Sequence, residues 1–122
     1  MNATKPMPWS ERSFRSITDC TFSGAPEFLQ QPVQSYLRDA VVQRLKRRRV
    51  APFRRALDFG CGIGDWTVAY ASLAERVVGI DVSAAFLELA RARAARAALS
   101  DRVRFHVGPI ESWDDWTDVD LV

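Results

Sequence analysis

The stretch LDFGCGIGDW, residues 57–66, places three glycines at alternate positions directly after a short apolar run. Asp58 lies inside that run, and Asp65 follows the last glycine. A run over 55–59 that ends at glycine is too short for a helix and predicts a β-strand. A glycine-rich turn after a strand lets a ligand approach bare backbone. The loop therefore marks the candidate ligand site.

Helices and strands are expected to alternate around this loop. An amphipathic helix is predicted within 26–49, with Pro32 in its first turn and an apolar face formed by Val33, Tyr36, Leu37, Ala40, Val41 and Leu45. Helical spacing returns over 65–74, a strand over 76–80 leads to Asp81, and Ser83 is the expected N-cap of a helix over 83–99. A third strand over 102–107 and the start of a fourth over 119–122 follow, whereas residues 1–24 predict an irregular or short-helical arm.

The predicted third strand has one apolar and one polar face. Val103, Phe105 and Val107 share the apolar face, and Arg102, Arg104 and His106 alternate with them. This alternation indicates that one face of the strand meets water. We therefore expect His106 to be a surface residue and not a catalytic base.

This order of elements predicts an α/β fold, a Rossmann-like parallel sheet with helices on both faces and right-handed crossovers. In such sheets the ligand lies off the carboxyl ends of the strands. The glycine loop after the first strand and Asp81 after the second are both expected at that edge.

Composition excludes several classes of protein. With 122 residues, 48% hydrophobic and 26% charged, the chain is sized for one globular domain. No apolar stretch is long enough to span a bilayer, and the N-terminus does not resemble a secretory signal. Cys20 and Cys61 lack metal-ligand spacing, so we expect no metal, reduced thiols and a cytoplasmic location. Cys61 is interpreted as a small residue that fills the loop.

A basic run, RLKRRRVAPFRR at 44–55, contrasts with the net charge of only +2. Such a run is found on nucleic-acid-binding surfaces. It is equally typical of a solvated helix C-terminus, where cations meet the negative end of the helix dipole. We favour the second interpretation, because Phe53 is the one aromatic residue within the run.

The glycine spacing differs from that of dinucleotide-binding loops. In G-x-G-x-x-G the third glycine comes one residue later, where this chain has Asp65. Asp58 and Asp65 would both repel a pyrophosphate, by roughly 2 to 3 kcal/mol per charge pair at about 6 Å. The same carboxylates favour a ligand that carries positive charge.

LDFGCGIGDW followed by VVGIDVSAAFLELAR resembles the first two motifs of class I S-adenosylmethionine-dependent methyltransferases. The resemblance implies S-adenosyl-L-methionine as cofactor. It implies that Asp58, Gly60 and Gly62, with Cys61 between them, shape the pocket for the methionine part. It also implies that Asp81 binds the ribose hydroxyls and that Val82 lies against the adenine.

The third motif of that family is not matched. The family commonly has an Asp after the third strand, and aligning RFHVGPIESW by Gly108 puts Pro109 at that place. The resemblance then implies that Ile110 contacts the adenine through its backbone, together with its own side chain or that of Trp113. Glu111 is a further candidate for the adenine amine.

The resemblance covers only part of the family's fold, whose sheet has seven strands. We expect strands three, two, one and four here, with residues 1–49 as an arm and helix over the acceptor site and residues 50–122 as an incomplete cofactor-binding core. The chain is interpreted as a methyltransferase truncated after the fourth strand, with a small-molecule acceptor and no nameable catalytic residue. A nucleic-acid acceptor is disfavoured, no membrane partner is expected, and the open strand edge is suited to pairing with another chain. The alternatives are a non-catalytic cofactor-binding module and a nicotinamide-dependent oxidoreductase.

Overall fold

A parallel sheet of four strands forms the centre of the computed structural model, which describes residues 27–49 and 51–122. The strands are β1 (Phe53–Phe59), β2 (Ala74–Asp81), β3 (Val103–Val107) and β4 (Val119–Leu121). Their order, β3-β2-β1-β4, confirms the predicted Rossmann-like fold and places β3 at an edge. The expected N-terminal arm and Cys20 lie outside the described residues.

Helices connect the strands as the predicted α/β pattern requires. They are α1 (Glu27–Arg47), α2 (Asp65–Tyr70) and α3 (Ala84–Arg96), with one turn of 3-10 helix at Ile110–Ser112. Residues 38–122 form one unit, and the candidate site lies within it. Within the described ranges, no helix combines the length and the apolar character needed to cross a membrane.

The sheet separates two clusters of buried side chains. The first lies between the sheet and the helices and contains Val42 of α1, Ala71 after α2 and Ala94 of α3, together with Phe53, Ala56, Leu73, Ala74, Val77 and Val103. The second contains Leu57, Val78 and Ile80, with Phe59, Trp113 and Val119 packed against them. The described residues thus supply one of the two expected helical layers, and on the other face Trp113 packs against the sheet.

The boundary between α2 and β2 differs from the predicted one. Helix α2 ends at Tyr70 rather than near residue 74, and β2 begins at Ala74 rather than at residue 76. Ala74 is paired with Phe53, and the Phe53 N–H donates to the Leu73 carbonyl at 2.8 Å. Pairing with β1 therefore overrides the local helical spacing, and it also lengthens β1 to residue 53.

Helix α3 begins as predicted and ends early. The Ser83 hydroxyl accepts the Phe86 N–H at 3.2 Å, which confirms it as the N-cap. The helix stops at Arg96 instead of residue 99 because Ala98 adopts a left-handed φ of 56°. The Leu99 N–H then donates to the Ala94 carbonyl at 2.9 Å, the bonding pattern of a Schellman end.

Two expectations for α1 were wrong. The helix begins at Glu27, so Pro32 lies in its second turn and not in the first. On the part of α1 from Arg38 onward, Ala40 and Val41 were expected on the buried face, but both are exposed, and Val42 is buried instead. Leu45, half-buried against the first cluster, lies on the same side as Val42.

The alternation predicted for β3 is only partly observed. Val103 is buried and Arg104 exposed, as expected, whereas Val107 is 45% exposed although it was assigned to the apolar face. The edge position of β3 explains this, since Val107 lies at the end of the outermost strand. Arg102 does not simply face water, because its guanidinium donates to the carbonyls of Ala71, Ala74 and Glu75 at 2.7 to 3.1 Å.

Candidate functional site

Three loops meet at the carboxyl end of the sheet. The glycine loop follows β1, Asp81 ends β2, and Gly108 follows β3. The strand register aligns Phe59 with Ile80 and Asp81 with Val107, so the three strands end side by side. This is the edge at which the sequence predicted a ligand.

The glycines of the loop have positive φ angles for different reasons. Gly60, Gly62 and Gly64 have φ of 70°, 54° and 79°. A Cβ on Gly60 would meet nothing within 4 Å, so open space lies above it. A Cβ on Gly64 would lie 2.8 Å from the Ala90 Cβ, because α3 packs directly against this residue. Gly60 thus leaves room above the backbone, and Gly64 lets α3 approach.

A fourth glycine, Gly79, lies directly beneath the glycine loop and was not identified as a site residue from the sequence. A Cβ on Gly79 of β2 would lie 2.8 Å from both Cys61 Sγ and Phe105 Cδ1. Its signal was the single glycine within the strand sequence VVGID, which is typical of a close approach. Gly79 therefore makes room for the glycine loop to fold onto the sheet.

The backbone N–H groups of the loop are largely used within the protein. Gly60 and Cys61 both donate to the Ile80 carbonyl, at 2.7 and 3.1 Å. Gly64 donates to the Cys61 carbonyl at 3.0 Å, and Gly62 donates to Asp81 at 2.9 Å. A phosphate-binding loop instead directs several such groups at its ligand. The N–H groups of Gly60, Cys61, Gly62 and Gly64 are therefore not free to bind a pyrophosphate.

Asp81 connects the end of β2 to the glycine loop. Its Oδ2 accepts the Gly62 N–H and its Oδ1 accepts the Ser83 N–H, both at 2.9 Å. An ionised carboxylate offers about four lone-pair positions, so two remain for a ligand. Asp81 therefore lies at the loop, as the sequence predicted, and also holds the loop in place.

Asp58 lies behind the loop and points to α2. Its Oδ2 accepts the hydroxyl proton of Thr67 at 2.8 Å, and Thr67 is fully buried. Burial raises the pKa of Asp58, the Thr67 hydrogen bond lowers it, and the charge of Asp81 raises it further, with a net increase. The two carboxylates are therefore close enough to repel each other.

The negative field of these carboxylates reaches neighbouring groups. Burial, followed by the charges of Asp58 and Asp81, raises the pKa of Cys61 to about 12. Burial and then Asp58 also raise the pKa of Tyr70. Because the Cys61 thiol stays protonated at neutral pH, it is unsuited to act as a nucleophile. The surroundings of the loop favour a positively charged ligand group.

The expectation that Asp65 adds negative charge to the ligand site was wrong. Its carboxylate forms ion pairs with Arg38 of α1 and Arg93 of α3, at 2.5 and 3.1 Å. Two guanidinium groups compensate its charge, so Asp65 adds no net negative charge to the ligand site. Arg38 and Arg93 are visible in the sequence as arginines on predicted helices, but only the folded structure brings them both to Asp65.

Apolar side chains flank the loop at the surface. Val82, directly after Asp81, is 66% exposed, and Ile110, after Gly108 and Pro109, is 54% exposed. Trp113 instead packs against Leu57, Val78 and Ile80 on the face opposite the helices. Val82 and Ile110 are therefore accessible to a ligand, whereas Trp113 mainly covers the sheet. Glu111 is exposed and has no partner among the described side chains.

His106 was expected at the surface and is half-buried. Its Nε2 lies 3.2 Å from Ser112 Oγ, and its ring meets Trp113 edge-on at 5.4 Å. The Ser112 hydroxyl donates to the Pro109 carbonyl at 2.7 Å, so the histidine is the donor in its contact with Ser112. His106 therefore holds the turn after β3 and does not activate Ser112 as a base. In the described part of the chain, no three His, Cys, Asp or Glu side chains cluster closely enough to hold a metal ion.

Comparison with curated proteins finds methyltransferases that are much longer than this chain. A segment of 90 residues, 74% of the chain, is 33% identical to 20% of the 23S rRNA (uracil(1939)-C(5))-methyltransferase RlmD of Pectobacterium carotovorum. Another match is 36% identical over 64 residues to the demethylmenaquinone methyltransferase of Lactiplantibacillus plantarum, and covers 50% of this chain and 27% of that protein. The chain thus spans about a fifth to a quarter of these relatives.

Solved structures and a family profile agree with these relatives. An RNA methyltransferase from Salinibacter ruber, in complex with S-adenosyl-L-homocysteine, has a TM-score of 0.53 and 27% identity, over 62% of this chain and 50% of that one. The profile of the methyltransferase-domain family matches residues 56–122, more than half of the sequence. The chain therefore belongs to the methyltransferase-domain family, in agreement with the resemblance of its glycine loop and Asp81 to class I S-adenosylmethionine-dependent enzymes.

Proposed function

We propose that this chain forms the cofactor-binding part of an S-adenosylmethionine-dependent methyltransferase. The observation that carries the proposal is the placement of Asp81 against a glycine loop in which the N–H groups of Gly60, Cys61, Gly62 and Gly64 are already bonded within the protein. A site of this kind has acceptors and negative charge to offer, but few donors. It therefore suits a ligand with hydroxyl groups and positive charge.

The residues present fit the cofactor. The open space above Gly60 admits a ligand to the backbone, and the two remaining lone-pair positions of Asp81 can accept the protons of a ribose diol. The field of Asp58 favours the ammonium and the sulfonium of the methionine part. The exposed side chains of Val82 and Ile110 can cover the two faces of an adenine. When bound, the cofactor supplies a methyl group activated by the positive sulfur.

The contribution of this chain is to bind and orient. Positioning the reactants accounts for roughly 7 to 11 kcal/mol of the barrier in well-oriented reactions, and water must be excluded from the transfer. We assign no catalytic residue within the described part of the chain. A cofactor-binding module that transfers nothing is the alternative, and incubation with labelled S-adenosylmethionine and candidate acceptors separates the two.

Calorimetry with S-adenosylhomocysteine and with NAD tests the cofactor assignment. We expect saturable binding of S-adenosylhomocysteine and none of NAD. Asp81→Asn should weaken binding at least about ten-fold, since charge-assisted hydrogen bonds contribute about 1.5 to 3 kcal/mol each. Glu88→Gln, an acid-to-amide change at an exposed position of α3, is the matched control and should leave the affinity unchanged. Binding of NAD alone would refute the assignment and favour an oxidoreductase.

For the acceptor we infer a small molecule. The demethylmenaquinone methyltransferase among the relatives supports this class. Charge around β1 supports it as well, because the arginines of β1 and the nearby Arg49 lie close to aspartates. Arg49 and Arg54 lie near Asp120 and Asp118, and Arg55 pairs with Asp115 at 2.8 Å. The surface beside β1 therefore has little net charge to offer a polyanion.

RNA is the second candidate acceptor, and one observation favours it beyond the rRNA methyltransferase relative. Four exposed cations at the end of α1 have no partner among the described side chains: Arg44, Lys46, Arg47 and Arg48. If they contact phosphates, RNA affinity should fall steeply with salt. Changing Arg44, Arg47 and Arg48 to Gln together should reduce the slope of log affinity against log salt by about 2 to 3. If the wild type and this triple variant bound RNA with the same weak affinity, contact between these cations and RNA phosphates would be excluded.

A further inference from the structure

Helix α1 is tied to the residue that directly follows the glycine loop. Arg38 of α1 and Arg93 of α3 both reach the same oxygen, Oδ1, of Asp65. The three side chains are 19%, 37% and 28% exposed, respectively, so the ion pairs are partly shielded from water. Fully exposed pairs contribute little to stability, but shielded pairs that share one carboxylate are screened less by salt. We call Arg38, Asp65 and Arg93 the Asp65 cluster.

The position of α2 depends on such outside contacts. The helix has only six residues, and its N-cap, Gly64, makes no side-chain capping hydrogen bond. Isolated helices of this length are unstable, because the cost of nucleation is not recovered over so few hydrogen bonds. Ion pairs from two neighbouring helices therefore contribute to fixing the start of α2.

The placement of α2 in turn sets the geometry of the ligand loop. Asp65 follows Gly64 directly in the sequence. Two residues further along α2, the Thr67 hydroxyl donates a hydrogen bond to the Asp58 carboxylate at 2.8 Å. A shift of α2 would move this hydroxyl away from Asp58 and change the shape of the loop. The Asp65 cluster thus connects α1 to two parts of the proposed cofactor site.

We propose that Arg38 is a positioning residue through which docking of α1 and binding of the cofactor strengthen each other. This inference rests on the proposed function only for the identity of the ligand. Coupling between two binding events is reciprocal: if the Arg38–Asp65 ion pair favours ligand binding by a certain free energy, ligand binding favours the ion pair by the same free energy. Among the described side chains, Arg38 forms ion pairs with its neighbour Asp39 and with Asp65, and of these only Asp65 adjoins the glycine loop, so Arg38 acts through Asp65.

Hydrogen–deuterium exchange and calorimetry with S-adenosylhomocysteine test the coupling. In Arg38→Gln we expect faster exchange of amides 39–47 without ligand, and affinity weakened by about five-fold or more, the lower end of typical coupling. S-adenosylhomocysteine should slow exchange at these amides in the wild type and not in the variant. Arg38→Lys keeps the charge and should restore part of both effects.

Matched variants distinguish the Arg38–Asp65 ion pair from general effects of removing a positive charge. Arg91→Gln removes an exposed arginine of α3 that has no described partner and should change neither measurement. In an Asp65→Asn background, Arg38→Gln should cause little additional loss, because its partner is already neutral. Circular dichroism checks that each variant remains folded, and Arg38→Lys provides the comparison if Arg38→Gln does not fold.

Each outcome decides the proposal. Equal exchange and equal affinity in Arg38→Gln and Arg91→Gln would overturn it, as would additive losses in the Asp65→Asn background. Faster exchange with unchanged affinity would reduce Arg38 to a structural residue and also overturn the coupling. If the wild type does not bind S-adenosylhomocysteine, the proposed function fails. The role of Arg38 in docking α1 is then tested by comparing exchange in ligand-free Arg38→Gln and Arg91→Gln.

Discussion

The carboxyl group of Asp58 gives the proposed site a pH dependence of definite sign. Because burial and Asp81 outweigh the Thr67 hydrogen bond, the pKa of Asp58 in the folded protein lies above its usual value near 3.8. Only the ionised form attracts the positively charged ammonium group that S-adenosylhomocysteine carries. The affinity for S-adenosylhomocysteine should therefore weaken as pH falls, and the loss should begin at a higher pH than for an ordinary aspartate.

Thr67 provides the matched variant for this prediction. Thr67→Val removes the hydrogen bond that lowers the pKa of Asp58, so the loss of affinity should move to still higher pH. Asp58→Asn should bind more weakly and without this pH dependence. In the ligand-free protein the sign is reversed: the ionised form is disfavoured in the fold, so the contribution of Asp58 to stability increases as pH falls through its raised pKa. Identical pH profiles of affinity in wild type and Asp58→Asn would contradict the assignment.

Gly60 and Gly64 have similar φ angles and opposite surroundings, so alanine should affect them differently. Gly64→Ala adds left-handed strain of about 1 to 2 kcal/mol and a clash with Ala90, and should cost about 2 to 5 kcal/mol of unfolding free energy. Gly60→Ala adds the strain alone, but its methyl group occupies the proposed ligand space. We expect affinity for S-adenosylhomocysteine to fall at least about ten-fold there.

Thermal denaturation and calorimetry on the two glycine variants provide the test. Gly60→Ala should melt several degrees below the wild type because of the strain alone, and Gly64→Ala should melt lower still. A Gly60→Ala variant that binds S-adenosylhomocysteine as tightly as the wild type would exclude the space above Gly60 as part of the cofactor site.

At the scale of elements, the end of α3 uses an unusual residue. Ala98 takes the left-handed position that glycine usually occupies in a Schellman end. Ala98→Gly should stabilise the protein by about 0.5 to 1 kcal/mol, since relief of left-handed strain exceeds the added entropy of the unfolded chain. Ala97→Gly is the control, because Ala97 has a φ of −87° and gains nothing from glycine. Urea denaturation in which Ala98→Gly is no more stable than Ala97→Gly would contradict this account.

The element boundaries show what local sequence can and cannot determine. Ser83 was predicted as an N-cap because its capping hydrogen bond is made within one turn. The buried side of α1 was not predictable, since Val41 and Val42 are equally apolar and adjacent. The choice between them is made by packing against the first cluster and by the pairing of Arg38 with Asp65. These contacts join residues that are far apart in the sequence.

For the whole molecule, the parallel sheet followed from the alternation of helices and strands. The order of the strands and the edge position of β3 were implied by the resemblance to the methyltransferase family, with which the exposed Arg104 agrees. The meeting of Asp81 with the glycine loop followed from the rule that parallel strands end at one edge. The hydrogen bonds of Arg102 could not be predicted in this way, because its acceptors are backbone carbonyls that carry no sequence signal. The compensated charge of Asp65 was missed for a related reason, since its partners come from two other helices.

Strand pairing at β4 gives the last prediction. Among the described strands, β4 lies at the edge next to β1 and has only three residues. Its register with β1 is irregular, and the Asp120 carboxylate accepts the N–H groups of Arg54 and Arg55 at 2.9 and 3.3 Å. Val122 and Trp116 beside this edge are 71% and 53% exposed. The outer side of an edge strand leaves backbone N–H and C=O groups that can pair with a second strand.

We therefore expect the protein to self-associate with rising concentration in sedimentation velocity. Val122→Lys places a charge at this edge without removing a buried side chain and should shift the protein toward the monomer. Val107→Lys places the same charge at the opposite edge, on β3, and should leave association unchanged if β4 is the edge that pairs. A wild type that remains monomeric throughout, or an equal effect of the two lysines, would show that β4 does not mediate association.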